Sequence, residues 1–264
     1  MLWHCKDFQV DLSQARVMGI VNVTPDSFAD GVRCLRTEAA VSRARTLVKD
    51  GADIIDLGAE STRPGATPVA WRVEWARLKP VLHILARELV KTPISVDTYH
   101  PETARLALEE GASIINCVYP ASSAKLMYLS GETGCGLVLP CRNEKEFKAL
   151  GLSTPAEETR VLIDPMIGFG TTRDEDMSLL GGIRRLAQLS PVLVGVSRKR
   201  VIGTMTGTDS PADRLGGSVG AAVWCAMNGA SVVRAHDVKE TKQALDVARL
   251  LADTADAPTN GGVA

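Results

Sequence analysis

One rhythm governs this chain. Short β-branched runs alternate with longer amphipathic stretches from residue 16 to residue 253. The short runs are RVMGIVNV (16–23), DIIDLG (53–58), PISVDT (93–98), SIINCVY (113–119), GLVLPC (136–141), RVLIDP (160–165), PVLVGVSR (191–198) and SVVRAH (231–236). Several are almost uninterrupted apolar segments, which predicts parallel strands buried on both faces. The intervening stretches are rich in Ala, Leu, Glu, Arg and Lys. In TEAAVSRARTLVKDGA (37–52), Ala40, Val41, Ala44, Leu47 and Val48 fall at helical spacing, and Gly51 stands where the helix should stop. PETARLALEEGA (101–112) and VKETKQALDVARLLAD (238–253) repeat the pattern. Eight strand–helix units in 264 residues average 33 each, which predicts an α/β fold, a (β/α)8 TIM barrel of roughly 250 residues. The rival, a doubly wound open sheet, usually carries G-x-G-x-x-G after its first strand; here the first strand runs into NVTPDSF. The fifth unit is short and includes Gly151 and Pro155, so its helix is expected to be stunted. Residues 1–254 are read as one barrel domain and 255–264 as a disordered tail.

Composition excludes several function classes. With 45% apolar and 23% charged residues the chain is globular. Thirty basic residues against 31 acidic ones leave no positive excess to attract nucleic acid or a membrane surface. No apolar run approaches the ~18 residues of a membrane span, and MLWHCKDFQVDL lacks the basic-then-apolar order of a signal peptide. The six cysteines (5, 34, 117, 135, 141 and 225) form no C-x-x-C and read as reduced thiols. A cytoplasmic enzyme is the expectation.

A barrel builds its active site at the C-terminal ends of its strands. Asn22 ends the first predicted strand, with Asp26 and Asp30 in the loop beyond it. Asp56 ends the second, followed by Glu60, Thr62 and Arg63. Asp97, Asn116 and Asp164 end the third, fourth and sixth; Ser197, Arg198 and Lys199 follow the seventh; Arg234 and His236 end the eighth. Any one of these reads equally as a cap or a strand-end hydrogen bond. Together they put carboxylates, amides and cations on one rim. Asp97, Asn116 and Asp164 suit a heterocycle rich in N–H donors, because a carboxylate grips a planar guanidine-like edge bidentately. Arg63, Lys199, Arg234 and His236 form a cationic group suited to phosphate or carboxylate.

The motifs GIVNVTPDSFADG (19–31), DLGAESTRPGA (56–66), SVDT (95–98), IIN (114–116), DPMIGFG (164–170), GVSRKRVIG (195–203) and RAHDV (234–238) resemble the dihydropteroate synthase family from Gly19 to about Leu251. The resemblance implies a (β/α)8 homodimer that joins dihydropterin pyrophosphate to p-aminobenzoate, in folate biosynthesis, with Mg²⁺. It places the pterin on Asp97, Asn116, Asp164 and Lys199, with Arg234 beside it, and the pyrophosphate on Asn22, Thr62, Arg234 and His236, with Asn22 holding the metal. Asp30 and Arg63, with Lys199, would serve the chemistry, and Phe28, Pro64, Phe169 and Arg200 would shape the aminobenzoate pocket. Pyrophosphate would leave first, giving a pterin methylene cation that the arylamine captures.

The chain departs from the family pattern at four places. Cys117 replaces the Asp of I-N-D-V, read either as a tolerated change or as an altered pterin pocket. Pro140 and Cys141 replace a Met-His pair whose Met packs on the pterin. Met166 replaces a Gly and Thr171 a Lys in the sixth motif. Arg200 replaces a Ser that seats the aminobenzoate carboxylate; it could grip that carboxylate, fill the pocket or face solvent. These changes leave two further readings open: a catalytically weak pterin-binding paralogue or partner subunit, and a pterin-binding methyltransferase barrel.

Overall fold

The computed structural model describes residues 1–23, 30–60 and 67–255, with the backbone alone over 30–36 and at 255. Its strands are β1 (Leu2–Cys5), β2 (Phe8–Asp11), β3 (Arg16–Asn22), β4 (Ile54–Gly58), β5 (Ile94–Asp97), β6 (Ile114–Asn116), β7 (Gly136–Pro140), β8 (Glu158–Thr159), β9 (Val161–Asp164), β10 (Val192–Gly195) and β11 (Ala230–Ala235). The helices are α1 (Asp30–Lys49), α2 (Trp71–Glu88), α3 (Pro101–Glu110), α4 (Ser123–Thr133), α5 (Glu144–Ala149), α6 (Arg173–Gly181), α7 (Ile183–Ala187), α8 (Arg200–Thr206), α9 (Leu215–Met227) and α10 (Val238–Ala255).

Eight parallel strands close in the order β10-β11-β3-β4-β5-β6-β7-β9, and each lies within one of the eight runs the sequence predicts or overlaps it to within a residue. Helical segments link successive barrel strands, as parallel pairing requires. The predicted stop signals act as expected. Gly111, after α3, has φ +116° and its N–H donates to the Ala107 carbonyl. A Cβ there would meet Ala86 Cβ at 2.7 Å, so both conformation and space demand glycine. α5 is indeed short, at six residues. The tail from 256 onward lies outside the described residues.

The two-residue period of the strands sorts the barrel into layers. Val17, Ile55, Leu57, Val96, Ile115, Leu137 and Leu139 face outward and pack under the helices. Met18, Ile54, Ile114, Val138, Leu162, Leu193 and Val232 face inward and form an apolar plug. Two residues further along β4, β6, β9 and β11 the inward positions are Asp56, Asn116, Asp164 and Arg234. The same alternation that builds the plug therefore sets a polar layer directly above it.

The first dozen residues lie before the first predicted strand. They form a hairpin of β1 and β2 that pairs with β8 in a three-stranded sheet. Trp3, fully buried, packs with Cys5 and Val10 against the plug, and its Nε1 donates to the Arg160 carbonyl at 2.9 Å. This sheet covers the N-terminal end of the barrel and leaves the other end to the polar layer.

Candidate active site

Arg234 lies at the centre of the polar layer. Its Nε donates to Asp56 Oδ2 at 2.6 Å and its Nη2 to Asp97 Oδ2 at 2.9 Å. Asn116 Nδ2 approaches the same Asp56 oxygen at 3.3 Å. Strand register explains the grouping: Asp97 pairs with Asn116 and with Gly58, while Gly195 pairs with Arg234. Asp56 Oδ1, Asn116 Oδ1 and Ser95 Oγ are buried and have no hydrogen-bond partner among the described residues. Leaving a buried polar atom unpaired costs about 1–3 kcal/mol. Two acceptors and a hydroxyl in one pocket floor thus suit a ligand that brings N–H groups.

Burial dominates the electrostatics. It pushes Asp97 up to about 7, helped by Asp56, Glu74 and Asp164 and opposed by Arg234. Asp164 is raised for the same reason, against the pull of Lys199, the Met166 N–H, Arg234 and Arg142. Lys199 is lowered to about 8, because burial outweighs the attraction of Asp164. Its Nζ donates to the Ile167 carbonyl at 2.5 Å and stands 4.6 Å from the centroid of the Phe169 ring.

His236 differs from the sequence expectation. Burial, reinforced by Arg234 and Arg198, lowers it to about 4, so it is a neutral imidazole at pH 7 and not a member of a cationic group. Ser197 Oγ accepts the His236 backbone N–H at 3.2 Å and faces Nδ1 at 3.0 Å. With the Ser197 hydroxyl proton on Nδ1, the ring proton lies on Nε2, and in that tautomer His236 is a neutral donor for an anion. Arg234 shares its Nε and Nη2 between two carboxylates, so only part of its guanidinium can face an anion.

The segment between Ser197 and α8 is held under strain. Arg198 has φ +60°, an uncommon conformation for a side-chain-bearing residue. Its guanidinium pairs with Asp237 at 2.5 and 3.0 Å, its N–H donates to Ser218 Oγ, and its carbonyl accepts from Arg214 Nη1. These contacts fix the direction in which Lys199 leaves the chain.

The remaining predicted residues distribute unevenly. Asn22 is exposed at the end of β3, and Arg200 is exposed at the start of α8. Phe28, Thr62, Arg63 and Pro64 lie outside the described residues, as does the side chain of Asp30. Of the departures, Pro140 faces Asp164 in the β7–β9 register, and Met166 is buried with φ +63° where the family pattern has Gly. The Cys117 thiol is buried, raised to about 11, and donates to the Tyr119 carbonyl at 3.3 Å. That is a packed thiol, not a reactive one.

Two acidic groups escaped the sequence reading as site residues. Asp56 stands at the rim in sequence with nothing to mark its role. Glu74 was not named, although it stands in the apolar stripe of α2 with Leu78, Val81 and Leu85, a visible anomaly. It is fully buried, its carboxyl is raised by burial, and Thr98 Oγ1, next to Asp97 in sequence, donates to it at 2.8 Å.

Comparison with known proteins agrees with this geometry. A family profile described as "Pterin binding enzyme" matches residues 18–153 and 142–236. Dihydropteroate synthase of Escherichia coli (strain K12) is 37% identical over 261 residues, covering 90% of this chain and 92% of that protein. The solved structure of Xanthomonas albilineans dihydropteroate synthase with 4-aminobenzoic acid is 37% identical, with a TM-score of 0.83 over 97% of this chain and 99% of that one. The same enzyme in complex with 7,8-dihydropteroate superposes with a TM-score of 0.80 at 32% identity, over 97% and 99% of the two chains. A barrel whose C-terminal rim carries this acceptor floor, matched over nearly its whole length by such relatives, belongs to the dihydropteroate synthase family of pterin-binding enzymes.

Proposed function

We propose that the polar layer binds a dihydropterin bearing a methylene diphosphate, and that this transferase joins the pterin carbon to the amine of p-aminobenzoate. The observation that carries the reading is the set of buried acceptors, Asp56 Oδ1 and Asn116 Oδ1, that have no partner among the described residues. The donor-rich edge of a pterin supplies the missing N–H groups. Asp97 and Asp164 complete the acceptor wall, and Lys199 donates to the ring from the opposite side.

The diphosphate lies toward His236, whose Nε2–H donates to it, with Arg234 and Asn22 at its other edge. Thr62 joins this group by resemblance. The C–O bond to the diphosphate breaks with its electron pair leaving on oxygen, and cation and N–H donors aimed at that oxygen lower the barrier. The cationic methylene that remains is favoured by the nearby carboxylates. The arylamine, already neutral, adds through its nitrogen lone pair and then loses a proton to solvent. Phe169 and Arg200 hold the aminobenzoate, the exposed guanidinium of Arg200 pairing with its carboxylate; Phe28, Pro64, Asp30 and Arg63 belong to this end by resemblance.

Among the described residues, a divalent cation fits this site as a companion of the diphosphate. No group of three or more His, Cys, Asp or Glu capable of holding a metal occurs among the described residues, and Arg234 engages both Asp56 and Asp97. The exposed amide of Asn22 is a suitable single protein oxygen for Mg²⁺, which retains water and phosphate ligands. When bound, the ion offsets the charge that develops on the leaving diphosphate.

We also propose a homodimer built on α9 and α10. Trp224 and Met227 on α9 and Val247, Leu250 and Leu251 on α10 are all exposed, an apolar face suited to a second copy of the same helices. The five described cysteines are free and buried, in keeping with a reducing cytoplasm. No described helix is long and apolar enough to cross a membrane.

The test is pyrophosphate release from dihydropterin pyrophosphate and Mg²⁺, with and without p-aminobenzoate. Release that depends on the arylamine, with dihydropteroate as product, supports the reading. Release without it points to a different nucleophile, and pterin binding with no release overturns catalysis.

A further inference from the structure

The turn after β9 is held at four consecutive residues by four different side chains. The Met166 N–H donates to Asp164 Oδ1 at 2.7 Å, and the Ile167 carbonyl accepts from Lys199 Nζ at 2.5 Å. The Gly168 N–H donates to Asp176 Oδ1 at 2.6 Å, and the Phe169 carbonyl accepts from Arg142 Nη2 at 2.8 Å. The turn's own bonds are few, Phe169 N–H to the Met166 carbonyl and Gly168 N–H to Thr171 Oγ1, each at 3.1 Å, and Met166 within it has a left-handed backbone, φ +63°, that a side-chain-bearing residue seldom adopts.

Three of the holders come from the turn's own flank or from the segment after β10. Arg142 alone reaches it from the opposite side, two residues beyond Pro140 at the end of β7. The local sequence is built to seat it. The Arg142 N–H donates to Glu146 Oε2 at 2.7 Å, and Asn143 caps α5 by accepting the Glu146 N–H at 3.0 Å. The stunted α5 therefore serves as a mount for this guanidinium. Phe169 is in turn fixed at both ends, its carbonyl by Arg142 and its ring by the Lys199 ammonium.

We propose that Arg142 is a positioning residue for the arylamine: by gripping the Phe169 carbonyl it sets the Phe169 ring as the wall against which aminobenzoate lies. This rests on the assignment of Phe169 to the aminobenzoate pocket given above. A residue that only latched β7 to the β9 turn would change stability without separating the two substrates.

The experiment is initial-rate kinetics with each substrate varied, for R142M, R142K and F169A, alongside thermal melting. R142M is expected to raise the KM for p-aminobenzoate about tenfold, as for loss of one charge-assisted hydrogen bond. The KM for the pterin pyrophosphate and kcat should stay within about twofold of the parent. R142K keeps a charged donor and should recover most of the arylamine KM. If R142M lowers the melting temperature but leaves that KM unchanged, or if both KM values move together, Arg142 is only a latch and the proposal falls. The same holds if R142K fails to rescue. F169A separates the two layers of argument. A raised arylamine KM in F169A without one in R142M overturns the role of Arg142 alone; an unchanged KM in F169A overturns the placement of aminobenzoate itself.

Discussion

Arg234 and Asp56 form a buried ion pair across the barrel, Nε to Oδ2 at 2.6 Å, with the Asp56 side chain wholly removed from solvent. Asp56 holds the guanidinium on one side while Asp97 holds it on the other, so the position of the cation is set by two carboxylates from adjacent strands. Removing one partner of such a pair leaves the other charge buried and costs about 3–5 kcal/mol. Asp56→Ala should therefore lower the melting temperature by roughly 6–20 °C, at about 2–4 °C per kcal/mol for a domain of this size. It should also abolish measurable pterin binding by calorimetry. A variant that melts with the parent and binds pterin normally would show that Arg234 needs no partner on β4.

Asp97 and Lys199 give the activity a narrow pH window. Asp97 must be ionised to accept from the pterin, and burial holds it near 7; Lys199 must be protonated to donate, and burial holds it near 8. A bell-shaped kcat/KM with limbs near those values is expected. Lys199→Arg, where activity survives, should lose the alkaline limb, because guanidinium stays charged. Stability runs the other way on the acid side. The folded-state value for Asp97 lies above that of an unfolded aspartate, so its contribution is full below about 4 and declines as pH rises through about 7. Asp97→Asn should flatten that part of a plot of melting temperature against pH.

The fold was legible because its signals were local and repeated. Eight apolar runs, each followed by a helical pattern and, at Gly51, Gly111, Gly134 and Gly229, by a left-handed glycine before the next strand, leave few architectures open. The rim residues were legible as a set, since strand ends are where a barrel carries chemistry. Their pairing was not. The contacts of Arg234 with Asp56 and Asp97 span 178 and 137 residues of sequence, and register, not spacing, brings them together. Protonation was equally hidden: a histidine beside arginines reads as one more cation until burial shows it to be neutral. The N-terminal sheet is not legible in the sequence because its pairing with β8 joins Leu2 to Glu158 and Trp3 to Thr159, and no two-residue strand announces itself.

Ser197 is the hydroxyl that meets the His236 ring. Its Oγ accepts the His236 backbone N–H at 3.2 Å and lies 3.0 Å from Nδ1, an arrangement that favours the tautomer with Nδ1 accepting and the proton on Nε2. Ser197→Ala removes that preference and lets the ring proton move to Nδ1, turning an acceptor toward the diphosphate. The expected result is a KM for the pterin pyrophosphate raised about tenfold, a loss of about 1.4 kcal/mol in binding, with the KM for p-aminobenzoate little changed. Nitrogen chemical shifts of the His236 ring would report the same change independently: Nε2 protonated in the parent, a mixture in the variant.

The α9–α10 face offers a test that does not involve substrate. α9 reads LGGSVGAAVWCAM, with Gly216 and Gly220, which face open space, leaving room for another helix to approach closely, and it carries Trp224 at 55% exposure; beside it α10 exposes Leu251 at 66%. Large apolar side chains grouped at that exposure are costly in water, and their burial against a symmetry-related copy contributes about 25 cal/mol per Å². Trp224→Arg introduces a charge that a two-fold axis duplicates, setting like charges near one another in the assembled form. Light scattering should give a dimer mass for the parent and a monomer mass for this variant, with the barrel's circular dichroism retained. Because the face lies on the outside of the barrel, while the acceptor floor lies inside its C-terminal end, pterin binding by the monomeric variant should fall by less than about threefold. A parent that runs as a monomer, or a Trp224→Arg protein that remains dimeric, would place the subunit contact elsewhere or remove it.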